Sequence, residues 1–107
     1  PGRYEYEIQA EMERIFRLRG GTGVAYPSIV ASGTNACILH YIENTRQMQD
    51  GDLLLIDAAC AYGYYNADIT RTFPVNGKFT GEQKTLYDIV LEAQKQAIAE
   101  IKPGNPY

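Results

Sequence analysis

The sequence predicts an α+β fold: an antiparallel sheet built around a central hairpin and covered on one face by two helices. Three observations carry this. Apolar residues recur at helical spacing near the start, the stretch from Leu53 to Val75 reads as two strands about a tight turn, and a second amphipathic stripe follows Thr80.

From Tyr4 to Leu18, Tyr4, Ile8, Met12, Ile15 and Phe16 form the apolar stripe, and Glu5, Glu7, Glu11, Glu13 and Arg14 are expected mostly on the solvent face. Gly20-Gly21-Thr22-Gly23 ends the helix. A glycine-rich stretch that cradles phosphate opens a helix, whereas this one follows a helix, so it reads as a cap and loop. Tyr26 to Gly33 reads as a strand closed by a turn at Gly33-Thr34-Asn35. Asn35 to Tyr41 is a short apolar segment that delivers His40, the only histidine, ahead of a polar loop from Glu43 to Gln49.

Asp50-Gly51-Asp52 turns the chain into the apolar run Leu53 to Ile56, which has the length and composition of a buried strand. Asp68 to Phe73 alternates with period two, as a strand does. Pairing symmetric about Tyr62-Gly63 puts Asp57 directly opposite Asp68. Opposed Cβ atoms in such a pair lie roughly 4.5–5.5 Å apart, where two carboxylates repel. A divalent cation removes that repulsion, and hard cations such as Mn²⁺ and Mg²⁺ prefer carboxylate oxygen. The competing account is a turn-capping aspartate and a solvated one, and the hairpin by itself leaves both open.

Asn76-Gly77 makes the next turn, and Thr80 with Gln83 forms a capping box for the second helix. Leu86, Val90, Ala93, Ala97 and Ile101, flanked by Tyr87, Leu91 and Ile98, are expected to pack on the sheet, with Glu82, Glu92, Lys95 and Glu100 in solvent. Pro103-Gly104 stops it.

The net charge is −3 with no Lys/Arg cluster, which gives no footprint for nucleic acid or an anionic membrane. No stretch reaches spanning length and no signal peptide is visible. Cys37 and Cys60 make neither a disulfide framework nor a zinc knuckle, so a reducing cytoplasm is the expected compartment. Tyr62, Tyr64 and Tyr65 crowd the hairpin tip, as half-buried packing or as a contact surface. The chain opens on Pro1 and closes on the loop-like Lys102 to Tyr107, so residues 1–107 are expected to be one partial domain of a longer chain.

In order, the first helix, Tyr26-Pro-Ser-Ile-Val-Ala-Ser-Gly, Asn35-Ala-Cys-Ile-Leu-His-Tyr, Asp50-Gly-Asp-Leu-Leu-Leu-Ile-Asp and Asn66-Ala-Asp-Ile-Thr-Arg-Thr-Phe-Pro-Val together resemble the aminopeptidase P (Xaa-Pro aminopeptidase) branch of the pita-bread metallopeptidases. The resemblance covers nearly all of the chain, and Asp57 to Asp68 with its Ile-Thr-Arg-Thr-Phe tail is its most specific part.

That resemblance implies the N-terminal half of a pita-bread catalytic domain. Its activity would be removal of the residue before a proline at the second position of a peptide, by a water activated between two divalent ions, usually manganese. Asp57 and Asp68 match two metal ligands. His40 matches the histidine that lines the substrate pocket and assists developing charge, and Tyr26 matches a tyrosine that orients a ligand carboxylate.

The family's other metal ligands, one histidine and two glutamates, belong to a second half that this sequence does not include. The 107 residues alone are therefore expected to be inactive, and isolated copies to self-associate in place of the missing half. Prolidase activity on Xaa-Pro dipeptides is the alternative within enzymes, and a non-catalytic peptide-binding or protein-binding module the alternative outside them. Retention of both aspartates disfavours the module and a metal-free, creatinase-like enzyme, and the Asp68-Ile-Thr-Arg-Thr-Phe segment disfavours a methionine aminopeptidase.

Overall fold

The computed structural model describes residues 1–106, so Tyr107, the last residue of the predicted closing loop, lies outside the described residues. The order is helix α1 (Glu5–Leu18), strands β1 (Gly23–Val24) and β2 (Ile29–Ser32), a 3₁₀ turn at Gly33–Cys37, strands β3 (Leu53–Asp57), β4 (Cys60–Tyr62), β5 (Tyr65–Asn66) and β6 (Thr70–Pro74), and helix α2 (Gly81–Glu100). The fold is α+β and wholly antiparallel, as expected, but the strands form two sheets, β1-β4-β5 and β2-β3-β6. The stretch read as a plain loop after α1 contains β1, which pairs with β4.

One long ribbon joins the sheets. Its tip is Gly63-Tyr64, both at positive φ, with Tyr62 paired to Tyr65. Two consecutive left-handed residues suit the twist of a tight hairpin. The centre is therefore one residue later than predicted, and every pairing moves with it: Asp57 faces Thr70 instead of Asp68.

Two apolar clusters hold the β2-β3-β6 sheet. On one face Ile8 and Met12 of α1 pack against Val30, Met48, Leu54, Ile56 and Val75. On the other, Tyr41 packs with Ile29 and Ala31, beside Ala36 and Leu55. Helix α2 starts with the predicted capping box, Thr80 N donating to Gln83 Oε1 and Gln83 N to Thr80 Oγ1. Leu86, Tyr87, Val90 and Leu91 line a 460 Å³ cleft with Leu53, Leu55, Thr70 and Thr72, on the face away from α1. But α2 buries none of its own residues, so the expected packing of its apolar stripe on the sheet is not made: Leu86, Val90, Ile98 and Ile101 stay exposed. No helix among the described residues is long and apolar enough to cross a membrane.

The expected solvent face of α1 is overturned at Glu5, which is 0% exposed. Its Oε1 accepts from Ser32 N at 2.6 Å and Ser32 Oγ at 2.7 Å, and its Oε2 from Tyr41 Oη at 2.8 Å and Arg46 N at 2.9 Å. A buried carboxylate is tolerated when donors meet it, and here they saturate both oxygens. Burial pushes the Glu5 carboxyl up, but the bonds from Ser32, Arg46 and Tyr41 outweigh it and hold it below the usual range. Asn44, also fully buried, accepts from Val30 N and donates to Ser28 O. Glu5 and Asn44 thus supply the partners that the unpaired edge of β2 lacks.

Candidate metal and substrate site

Strand β3 runs apolar until its last residue, Asp57, which is half-buried. Beyond it the ribbon bends between the two sheets, but Ala58 N still donates to Ile69 O and Ala67 N to Cys60 O. These bonds keep the register, so Asp68 lies across from Ala59. Residues two apart on a strand share a face, so Asp57 and Asp68 are diagonal neighbours on one face. The predicted direct opposition is wrong by two residues on the partner strand, while the prediction that both carboxylates meet holds.

Tyr26 demonstrates the meeting. Its hydroxyl donates to Asp57 Oδ1 at 2.6 Å and lies 3.2 Å from Asp68 Oδ1. Burial and the two carboxylates push the phenol's pKa well up, which keeps it protonated and able to donate.

His40 reaches the same place from the loop that follows the 3₁₀ turn. Tyr26, Pro27, His40, Ile42, Asp57 and Asp68 line one cavity of about 370 Å³. His40 itself is exposed, with φ of 54°, a left-handed conformation that non-glycine residues seldom adopt. All four residues singled out from the sequence therefore share one cavity.

What the donor set can do follows from its chemistry. Two carboxylates, one of them half-buried, share a single hydroxyl, and among the described residues neither forms an ion pair with Lys or Arg. Hard oxygen donors short of positive charge fit a divalent cation. The described residues contain no group of three His, Cys, Asp or Glu side chains able to hold a metal, so the two aspartates stand without a third such partner among them.

The residues that sequence reasoning missed are Glu5 and Tyr41, which fix the segment that carries His40. Glu5 sits among other glutamates on a helix, and nothing in that pattern distinguishes it.

The α+β fold thus brings paired aspartates, a tyrosine and a histidine to one cavity. The Peptidase_M24 model, metallopeptidase family M24, matches residues 1–107, and the chain belongs to that family. It is 54% identical over 105 residues to the Xaa-Pro aminopeptidase of Haemophilus influenzae and 52% identical over 104 residues to that of Escherichia coli, covering 98% and 97% of this chain and 24% of each relative. The chain thus spans about a quarter of the length of the curated relatives it matches. Pseudomonas aeruginosa aminopeptidase PepP superposes with a TM-score of 0.98 at 54% identity, over 100% of this chain and 24% of that one. Zinc-substituted Escherichia coli aminopeptidase P in complex with product gives 0.95 at 52% identity, over 97% and 24%.

Proposed function

We propose that residues 1–107 are the N-terminal half of a pita-bread catalytic domain in a metalloaminopeptidase that releases the residue preceding proline from peptides. The observation that carries this reading is the single cavity lined by Tyr26, His40, Asp57 and Asp68. Relatives named Xaa-Pro aminopeptidase support the substrate class, as does an Escherichia coli aminopeptidase P variant, glutamate replaced by alanine, solved with substrate. Two other solved variants of that enzyme each replace an aspartate with alanine, at positions as far apart in that chain as Asp57 and Asp68 are here.

In this reading Asp57 and Asp68 hold the divalent metal, two ions per complete site, with manganese the proposed identity. When bound, the ions supply Lewis acidity and a nucleophilic water at neutral pH. Tyr26 donates to Asp57 and so fixes which carboxylate oxygen faces the metal. His40 lines the substrate side of the cavity, where its ring hydrogen-bonds the substrate and answers charge developing on the scissile carbonyl. The remaining ligands come from the second half of the domain, so the 107-residue chain alone is inactive. Unpaired Cys37 and Cys60 accord with the reducing cytoplasm proposed for it. The apolar side chains of α2, with Leu86, Ile89 and Val90 all exposed, support self-association of isolated copies.

The test is hydrolysis by the full-length protein. It should release the first residue from tripeptides with proline second, only with divalent metal present, and Asp57→Asn or Asp68→Asn should abolish turnover. Cleavage restricted to Xaa-Pro dipeptides would replace the reading with prolidase activity, and binding without turnover would replace it with a peptide-binding module.

A further inference from the structure

Between the 3₁₀ turn and β3 the chain runs through residues 38–52 with no helix or paired strand beyond an isolated bridge from Gln47 to Tyr4, yet it must hold His40 at the cavity. Ile38, Leu39, His40 and Ile42 are all exposed. Between Ile38 and Ile42, Tyr41 alone is buried, at 6% exposure.

Both ends of the Tyr41 side chain are fixed. Its ring packs against Ile29 and Ala31, and Ile29 is the cross-strand partner of Asp57. Its hydroxyl donates to Glu5 Oε2 at 2.8 Å and accepts from Thr45 N at 3.2 Å. Glu5 cannot shift toward or away from it, because Ser32 and Arg46 hold the same carboxylate. A left-handed histidine persists only where its surroundings over-determine it, and the residue after His40 is the one so determined.

We propose that Tyr41 is a positioning residue for His40: seated between Ile29 and the Glu5 carboxylate, it sets where the His40 ring stands relative to Asp57. The proposal rests on the role given to His40 above. Tyr41 touches neither metal ligand nor substrate and acts only through the backbone it shares with its neighbour. Displacement of a reacting group by about 1 Å can cost up to roughly 100-fold in rate, so loss of the Tyr41 anchor should be visible in kinetics even where the fold survives.

A double-mutant cycle in the full-length peptidase tests this. Tyr41→Phe keeps the ring and removes the hydroxyl. With His40 present, it should lower kcat/KM for an Xaa-Pro peptide about tenfold, and in a His40→Ala background by less than about twofold, because residues that act through one another are not additive. Equal losses in both backgrounds would make Tyr41 merely structural and overturn the proposal, as would no loss with His40 present. Full activity of His40→Ala alone would remove the role assigned to His40, and with it the proposal, a failure distinct from additivity. If Tyr41→Phe does not fold, Ile29→Val, a milder change that loosens the seat of the Tyr41 ring, enters the same cycle and should likewise lose activity only with His40 present.

Discussion

The Tyr26 hydroxyl lies 2.6 Å from Asp57 and 3.2 Å from Asp68, one proton between two carboxylates that come from either side of a bend in the ribbon. A phenol donates one hydrogen bond, and the shorter distance assigns it to Asp57. Asp68, which is exposed, is left with solvent. The pair is thus asymmetric, with one carboxylate oriented and half-buried and the other free to adjust.

Removal of that donor should weaken metal binding without unfolding the chain. Tyr26→Phe retains the ring, and groups that orient a metal ligand typically contribute 10–100-fold in affinity. In the full-length enzyme, calorimetric titration with Mn²⁺ should show a loss of about that size. Unchanged affinity would mean that Asp57 keeps its orientation unaided.

The 107-residue chain should bind Mn²⁺ weakly, with Kd of roughly 10⁻³ M, since two carboxylates leave most of the coordination to water. The Asp57→Asn, Asp68→Asn double variant should remove even this. Tight binding or Xaa-Pro turnover by the unaltered chain would show that its copies complete the site for one another.

The sequence located the aspartate pair where chemistry conflicts with pattern: Asp57 ends an apolar strand and Asp68 opens an alternating one, and the hairpin between them brings both to one face. It misled on register, because Tyr62-Gly63 and Gly63-Tyr64 are equally plausible centres until Tyr64 is known to take a positive φ. The error moved Asp68 from opposite Asp57 to its diagonal, which keeps the face and changes the spacing. Glu5 was illegible for a different reason. A helix stripe separates apolar from polar, but the donors that make burial of a carboxylate favourable come from Ser32, Tyr41 and Arg46, at least 27 residues away.

Glu5 should therefore govern stability and its pH dependence. Glu5→Gln turns an amide donor toward groups that already donate, and each buried donor left unmatched costs about 1–3 kcal/mol. A loss on the order of 3 kcal/mol is expected in denaturant unfolding. The folded-state pKa of Glu5 is depressed, so its stabilisation is complete above the ordinary glutamate value of about 4.3 and disappears as pH falls through the lower folded value. Asp52, pushed up by burial but held lower still by Arg46 and the Gln49 amide, adds in the same direction. Stability of the unaltered chain should decline below about pH 4.3, and Glu5→Gln should flatten that decline. An identical slope in both would assign acid sensitivity to other carboxylates.

Gly21, in the turn between α1 and β1, is where the chain presses against Cys60 of β4, and it tests the fold independently of the site. A Cβ there would lie 2.2 Å from Cys60 Sγ and 2.8 Å from the Phe16 carbonyl oxygen, the same oxygen that accepts from Gly21 N at 2.9 Å. Thr22 N follows directly with its bond to Ala61 O, so the chain cannot move off the strand to relieve the clash without losing a pairing. Gly21→Ala should cost about 2–3 kcal/mol, within the range for overpacking. Adding Cys60→Ala removes only the sulfur and leaves the carbonyl contact, so the double variant should recover part of the loss. Gly81, at the start of α2 with open space around its Cβ, provides the control: Gly81→Ala should raise stability by roughly 0.4–1 kcal/mol through the unfolded chain. Thermal unfolding of the four proteins separates these cases. Equal Tm for Gly21→Ala and Gly81→Ala would mean that the turn at Gly21 does not lie against Cys60 at this distance.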